Sequence, residues 1–274
     1  MPLRIPVRKL PKAVTLSLLD AITHVVCMLM GEAYPAVYVK RLSKMLERHM
    51  NVPYQLHCIT DRSDRLPERV FRIDASDWHE MKREGMRVTT NKIRLFDPSA
   101  IPFEEFLYLD VTLVIQKDMR PLLEYAMAQG EDLVIVKDWN YDCFNSCVMR
   151  IRRSPALEAI YRTWLEGKSF PFRNAGDQDF IHSCVHHLGL CDKVALFQPD
   201  HVVSYRNLRN RHRTDPKGAY EAIRKGIIVK FWGEPKMHQL ANPYYNLMRI
   251  RLRHLTRGPK DARFWLRELR RNWR

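Results

Sequence analysis

Hydrophobic and polar positions fall into blocks along this chain. His24-Val25-Val26-Cys27-Met28-Leu29-Met30 is a short apolar run closed by Gly31, the pattern of a strand whose two faces are both covered. From Tyr34 to Met50 the period changes. Tyr38, Leu42, Met45 and Leu46 recur at helical spacing, with Lys40, Arg41, Lys44, Glu47 and Arg48 on the other faces. Tyr54 to Thr60 predicts a second strand ending at Asp61, and Arg69 to Ile73 a short third one. Asn91 to Phe96 predicts one or two helical turns stopped at Asp97-Pro98, because a residue before proline disfavours the helical region. Phe106-Leu107-Tyr108-Leu109 is an apolar strand that delivers Asp110 at its carboxyl end.

Further strands are predicted at Leu133 to Val136, Ser146 to Ile151, Val194 to Phe197 and Ile227 to Trp232. Helices are predicted at Pro155 to Glu166 and at Asp177 to Leu188, the latter preceded by Asn174-Ala175-Gly176. Strands alternating with helices, without a repeat of fixed period, predict an α/β fold around a mixed, mostly parallel central sheet. Ligands of such sheets bind beyond the carboxyl ends of the strands. A carboxylate there costs free energy unless it faces a cleft or has a dedicated partner, which makes Asp110 a candidate site residue.

Composition narrows this picture. The chain has 274 residues, 46% of them hydrophobic, enough for a sizeable core. Val14 to Met30, the longest apolar stretch, is interrupted by Asp20 and His24, so no membrane-crossing helix is expected. Arg4, Arg8, Lys9 and Lys12 are not followed by a compact apolar region with a small-residue cleavage site, and no secretory signal is expected. Six dispersed cysteines predict buried thiols in a reducing compartment, hence a cytoplasmic protein.

The formal charge is +15, of which residues 1–12 carry +4 and residues 244–274 carry +8, leaving +3 for residues 13–243. The predicted organisation is therefore a basic extension (1–12), one domain (13–243) and a basic amphipathic helical tail (244–274). A nearly balanced body argues against nucleic acid as the partner, and only the aromatics interleaved with arginines in the tail favour it. In that tail Ala262, Trp265, Leu266, Leu269 and Trp273 share one helical face, and Arg263, Arg267, Arg270 and Arg274 another. Two readings follow: a helix on an anionic membrane surface, or a helix whose apolar stripe docks on the domain.

Phe106-Leu107-Tyr108-Leu109-Asp110-Val111-Thr112-Leu113-Val114-Ile115, followed by Asp118 and Pro121-Leu122, resembles the L-Y-L-D-x-D-T-L-V segment of GT-A glycosyltransferases, in particular glycogenin and the bacterial lipopolysaccharide galactosyl- and glucosyltransferases. Asn91-Lys92-Ile93-Arg94-Leu95-Phe96 is similar to that family's K-[LI]-R-[LI]-F block. Phe144-Asn145-Ser146-Cys147-Val148 is similar to its F-N-S-G-V strand. Gly176-Asp177-Gln178-Asp179 resembles its D-Q-D helix start, and Phe231-Trp232-Gly233-Glu234-Pro235-Lys236 its F-x-G-x-x-K diphosphate loop.

The resemblance implies a single nucleotide-sugar-binding domain and transfer of a hexose from a UDP-sugar to a glycan or lipid-linked acceptor in cell-envelope polysaccharide or lipopolysaccharide synthesis, with the anomeric configuration retained. Asp110, Gln178 and Asp177 would be catalytic. Lys92, Tyr34, Asp110, Gly233 and Lys236 would bind the donor, Tyr34 by stacking on the base or, equally, only by packing its helix. The diphosphate leaving group needs counter-charge, from lysines or from a divalent cation.

The resemblance also implies Mg²⁺ or Mn²⁺ on Asp110, but two metal positions depart from the pattern. Thr112 stands where the second aspartate is expected, and Lys230 where the histidine three residues before the loop glycine is expected. Three readings remain open: the diphosphate completes a reduced metal shell, Lys230 supplies the positive charge instead, or the enzyme is impaired and only binds sugar nucleotide. His238 is an alternative ligand or a solvated loop residue. Cys143, Cys147 and the His182, Cys184, His186, His187, Cys191 cluster match no zinc spacing and read as core thiols. Arg209, Arg211 and Arg213, in a predicted loop from Arg206 to Lys217, would meet an anionic acceptor or only solvent.

Overall fold

A computed structural model of the chain describes residues 23–171, 173, 175–233, 236–242 and 265–274. The basic extension 1–12, Asn174, Glu234, Pro235 and most of the tail, including Ala262 and Arg263, lie outside the described residues. The elements are β1 (Thr23–Leu29), α1 (Val37–His49), β2 (Tyr54–Thr60), β3 (Val70–Asp74), a 3₁₀ segment at Val88–Phe96, β4 (Glu105–Leu109), β5 (Leu113–Ile115) and α2 (Arg120–Ala128). Then come β6 (Leu133–Lys137), β7 (Phe144–Arg152), α3 (Pro155–Leu165), α4 (Asp177–His187), β8 (Val194–Leu196), β9 (Val202–Ser204), α5 (Tyr205–Arg211), α6 (Pro216–Lys225), β10 (Ile228–Lys230), α7 (Met237–Ala241) and α8 (Leu266–Asn272).

The main sheet has strand order β3-β2-β1-β4-β7-β6-β8. Its pairings are parallel except the two made by β7, which runs antiparallel to β4 and to β6. The expected α/β architecture with a mixed, mostly parallel sheet is what the chain adopts. A smaller sheet, β5-β10-β9, sits beside it. Alternation along β1 explains its continuous apolar run. Val25, Cys27 and Leu29 face a core completed by Tyr38, Leu42, Met45 and Leu46 of α1, whereas Val26 and Met28 face a second core with Ile93, Leu157 and Phe180.

The region from Arg206 to Lys217, expected as a loop, instead forms α5 and the start of α6. Ser204 Oγ caps α5 by accepting from the Asn207 N–H, and Asp215 caps α6 by accepting from the Gly218 N–H. Cys191 corrects the expectation of buried thiols. It is exposed, with Sγ 3.4 Å from His186 Nδ1, whereas the other five cysteines are buried.

Of the tail's apolar stripe, Trp265, Leu269 and Trp273 pack on the domain. Leu269 is fully buried, Trp273 lies edge-on to Tyr38 of α1 at 5.6 Å between ring centres, and the Arg41 guanidinium lies 5.3 Å from the Trp273 ring centre. Trp265 Nε1 donates to Gln116 Oε1 at 3.0 Å, and Arg270 Nε donates to the Leu240 carbonyl at 2.8 Å. Leu269 and Trp273 are thus spent on the domain's own core. Leu269→Ala is expected to lower unfolding free energy by about 2–3 kcal/mol, and Arg271→Ala, at an exposed position, by less than about 0.5 kcal/mol, both read from urea denaturation.

Candidate functional site

The strand order reverses direction at β1, which the chain leaves towards β2 on one side and rejoins from β4 on the other. That is the switch point where α/β sheets open a crevice beyond their carboxyl ends. A cavity of about 520 Å³ lies there. Asp110 leaves the end of β4, its backbone N–H tied to the Cys147 carbonyl of β7 at 2.9 Å. Because β7 is antiparallel, its beginning supplies Asn145 and Ser146 at the same end of the sheet. The 3₁₀ segment contributes Lys92, α4 contributes Asp177 and Gln178 in its first turn, and β10 contributes Lys230.

These side chains form one ionic chain. Asp110 Oδ1 lies 2.8 Å from Lys92 Nζ and accepts from the Tyr108 hydroxyl at 2.9 Å. Its Oδ2 accepts from Lys230 Nζ, which also donates to Thr112 Oγ1 at 2.6 Å. Lys92 Nζ continues to Ser146 Oγ at 3.2 Å and to Asp177 Oδ2 at 3.4 Å, and Ser146 Oγ donates to Asp177 Oδ2. Two carboxylates and two ammoniums therefore balance in a cluster with little solvent access.

Burial alone would raise the Asp110 pKa, but the Lys230 and Lys92 ammoniums and their hydrogen bonds prevail and hold it well below the ordinary carboxylate range. For Lys92, burial disfavours the ammonium, and Asp110 and Asp177 more than compensate, so its pKa is raised. Burial pushes the neighbouring Cys147 thiol up to about 12.

The sequence-predicted residues divide sharply within this geometry. Asp110, Gln178, Tyr34, Gly233, Lys92 and Lys230 line the cavity. Asp177 does not; it is 3% exposed and stands behind Gln178, holding Lys92 and Ser146. Lys92 has all three donors aimed at Asp110, Asp177 and Ser146, so it fixes the carboxylates. Lys230 spends two donors, on Asp110 and Thr112, and has one left towards the cavity. Lys236 approaches from the side, its Nζ 4.4 Å from the centre of the Tyr34 ring. His238 is partly buried, its Nδ1 2.7 Å from the Tyr38 hydroxyl, and burial lowers its pKa.

Three arginines missed by the sequence reading reach this cavity. Arg206, on α5, lies over the Trp232 ring at 4.3 Å and forms no ion pair among the described residues. Arg87 also lines the cavity, and Arg173 lies over the Tyr141 ring at 3.6 Å while paired to Asp179 at 2.9 Å. Only a helix-capping signal at Ser204 could have pointed to Arg206. Arg209, Arg211 and Arg213 do not line the cavity; Arg209 is buried and Arg211 is paired with Asp215. Gly233 has φ +64°, and a Cβ there would come within 3.0 Å of Arg206 Nη1, so this turn requires glycine.

The donor set does not fit a divalent cation. Such ions take several oxygen ligands, whereas both Asp110 oxygens already face ammoniums, the Tyr108 hydroxyl donates to Oδ1, and Thr112 Oγ1 is bonded to Lys230. Among the described residues, no group of three or more His, Cys, Asp or Glu side chains is placed to hold a metal. No helix among them is long and apolar enough to cross a membrane.

No protein-family model matches the chain, and no curated protein matches it. Solved structures do. The galactosyltransferase LgtC in complex with donor and acceptor sugar analogs matches with a TM-score of 0.52 and 13% identity, over 90% of this chain and 96% of its own. The glycosyltransferase GlyE of Streptococcus pneumoniae TIGR4 gives 0.54 and 14% identity over 91% of this chain and 64% of its own. Mouse xyloside xylosyltransferase 1 gives 0.52 and 13% identity over 77% of this chain and 98% of its own. At such identities the likeness is one of fold.

Proposed function

We propose that this chain, whose fold is that of the GT-A glycosyltransferases, is itself a glycosyltransferase that moves a hexose from a UDP-sugar to a glycan or lipid-linked acceptor, with retention at the anomeric carbon. The observation that carries the reading is the cavity at the β1/β4 switch point, lined by Gln178, Lys230, Gly233 and Arg206. A nucleoside diphosphate leaving group develops negative charge as the glycosidic bond breaks. Cations and backbone N–H groups fixed where that charge appears stabilise the transition state more than the ground state. Lys230 and Arg206 supply the cations, and the left-handed turn at Gly233 brings backbone close to the phosphates. Tyr34, a cavity residue beside Lys236, would stack on the base, and Gln178 would present an amide to the sugar.

The polysaccharide or lipopolysaccharide role, the cytoplasmic location and the lipid-linked acceptor rest on the resemblance of the sequence blocks. With Leu269 and Trp273 docked, Arg267, Arg271 and Arg274 are the exposed arginines among the described tail residues that could meet an anionic membrane surface.

Release of UDP from UDP-glucose and UDP-galactose, measured with and without oligosaccharide acceptors, tests the reading. Gln178→Ala is expected to lower kcat by about 10²-fold and to leave donor affinity within about threefold, because Gln178 faces the sugar and not the phosphates. Donor binding without turnover over a panel of acceptors would instead identify a sugar-nucleotide-binding protein.

A further inference from the structure

We propose that Lys230 is a built-in cation that takes the place of a divalent metal, so that the site binds the diphosphate of its donor without metal. The inference rests on the preceding reading for the identity of the ligand, and it selects one of the three alternatives the sequence leaves open.

The argument is geometric. Lys230 lies on the central strand of the small sheet, paired with Leu113 on one side and Ser204 on the other, so its backbone is fixed from both edges. Its side chain is 8% exposed, and its Nζ bridges Asp110 Oδ2 and Thr112 Oγ1. A metal on Asp110 would need one of that carboxylate's oxygens, and both are covered by ammoniums, Lys92 on Oδ1 and Lys230 on Oδ2. The cluster of Asp110, Asp177, Lys92 and Lys230 is already neutral. Without donor, a divalent ion would add two positive charges beside the Lys92 and Lys230 ammoniums.

The substitutions are also mutually consistent. Thr112 provides an acceptor for an ammonium where a second carboxylate would serve a metal, and Lys230 provides that ammonium. Two positions that are each unsuited to a metal are matched to one another. Asp110 then acts as a positioning residue: it aims the ammonium, whose remaining N–H meets a phosphate oxygen.

The test is calorimetric titration of UDP into the full chain, first in EDTA and then with millimolar Mn²⁺. Wild type is expected to bind in EDTA, with affinity changed less than about threefold by Mn²⁺. Lys230→Met is expected to weaken UDP binding by about 10- to 100-fold, as the loss of a charge-assisted hydrogen bond to phosphate should, with Mn²⁺ giving no rescue. The double variant Thr112→Asp, Lys230→His restores a metal-type donor set and is expected to bind UDP only with Mn²⁺, and to bind Mn²⁺ itself, read by the loss of its free paramagnetic signal. Thermal melts establish that each variant is folded. Wild-type binding that requires Mn²⁺ would overturn the inference while leaving the donor site standing. Absence of UDP binding under both conditions would overturn the donor-site reading, and the inference with it.

Discussion

Asp110→Asn is expected to destabilise the protein by about 3–5 kcal/mol at neutral pH, because it removes the shared counter-charge of two buried ammoniums. Lys92 would retain Asp177, 3.4 Å away, but Lys230 would be left with Thr112 and a neutral amide. Urea denaturation at pH 7 measures the loss. Its pH dependence carries a second check. A carboxyl whose folded pKa lies below its unfolded value stabilises fully above the unfolded value of about 3.9 and loses that contribution as pH falls through the folded value. Asp110 is such a group, so the gap between wild type and Asp110→Asn should be flat from pH 8 to about pH 5 and shrink only below about pH 4. Pairing the change with Lys230→Met should recover part of the stability, since the orphaned ammonium is gone, and none of the donor binding. A double variant no more stable than Asp110→Asn would show that the pair is not coupled.

Arg150→Met is the second large effect, expected to cost about 3–5 kcal/mol by leaving buried carbonyls without donors. Arg150, on β7, is fully buried, and its guanidinium works as an internal clamp on the backbone after α2. Nε and Nη2 donate to the Ala126 carbonyl at 3.1 and 2.9 Å, Nη2 to Gln129 at 3.0 Å, and Nη1 to Glu131 at 2.7 Å and Asp132 at 3.4 Å. Burial lowers its pKa to about 10, with Glu105 opposing, so it remains charged at neutral pH. Methionine replaces its volume and none of its donors. Loss of stability accompanied by faster proteolysis within residues 126–132 is the expected outcome. A cost below about 1 kcal/mol would mean that water satisfies these carbonyls equally well.

What was legible in the sequence follows from how far each signal reaches. β1, α1, β2, β4, β7, α3 and α4 announce themselves by runs or periods of several apolar residues; β2 has the expected bounds, and the others depart from theirs by three residues at most. β5 and β9 are three residues long, too short for any period, and exist because β10 pairs with both. α5 and α6 were read as loop because charged side chains dominate them. What decides them is a pair of N-caps and a buried apolar minority, Tyr205, Leu208, Ala219 and Ile223.

At the site, Asp110, Gln178, Gly233 and Lys230 could be placed because their sequence blocks keep their order. Their division of labour could not. Lys92 and Lys230 are both buried lysines beside Asp110, and only the count of donors each has left separates a structural tie from a ligand-binding group. Arg206 was invisible because it is brought to the cavity by a short helix, not by a motif.

The docked α8 also has a consequence for the order in which the molecule is made. Trp273 and Leu269 fill the groove beside Tyr38 and Arg41, so a contact central to the first half of the fold waits for residues more than 220 positions later to leave the ribosome. Until then α1 presents an uncovered apolar patch, including Tyr38, to whatever surrounds the nascent chain. Folding from the amino-terminal end can assemble the parallel strands but cannot seal them. Translation that stops short of residue 269 therefore releases a species with an open core, suited to capture by a chaperone or protease.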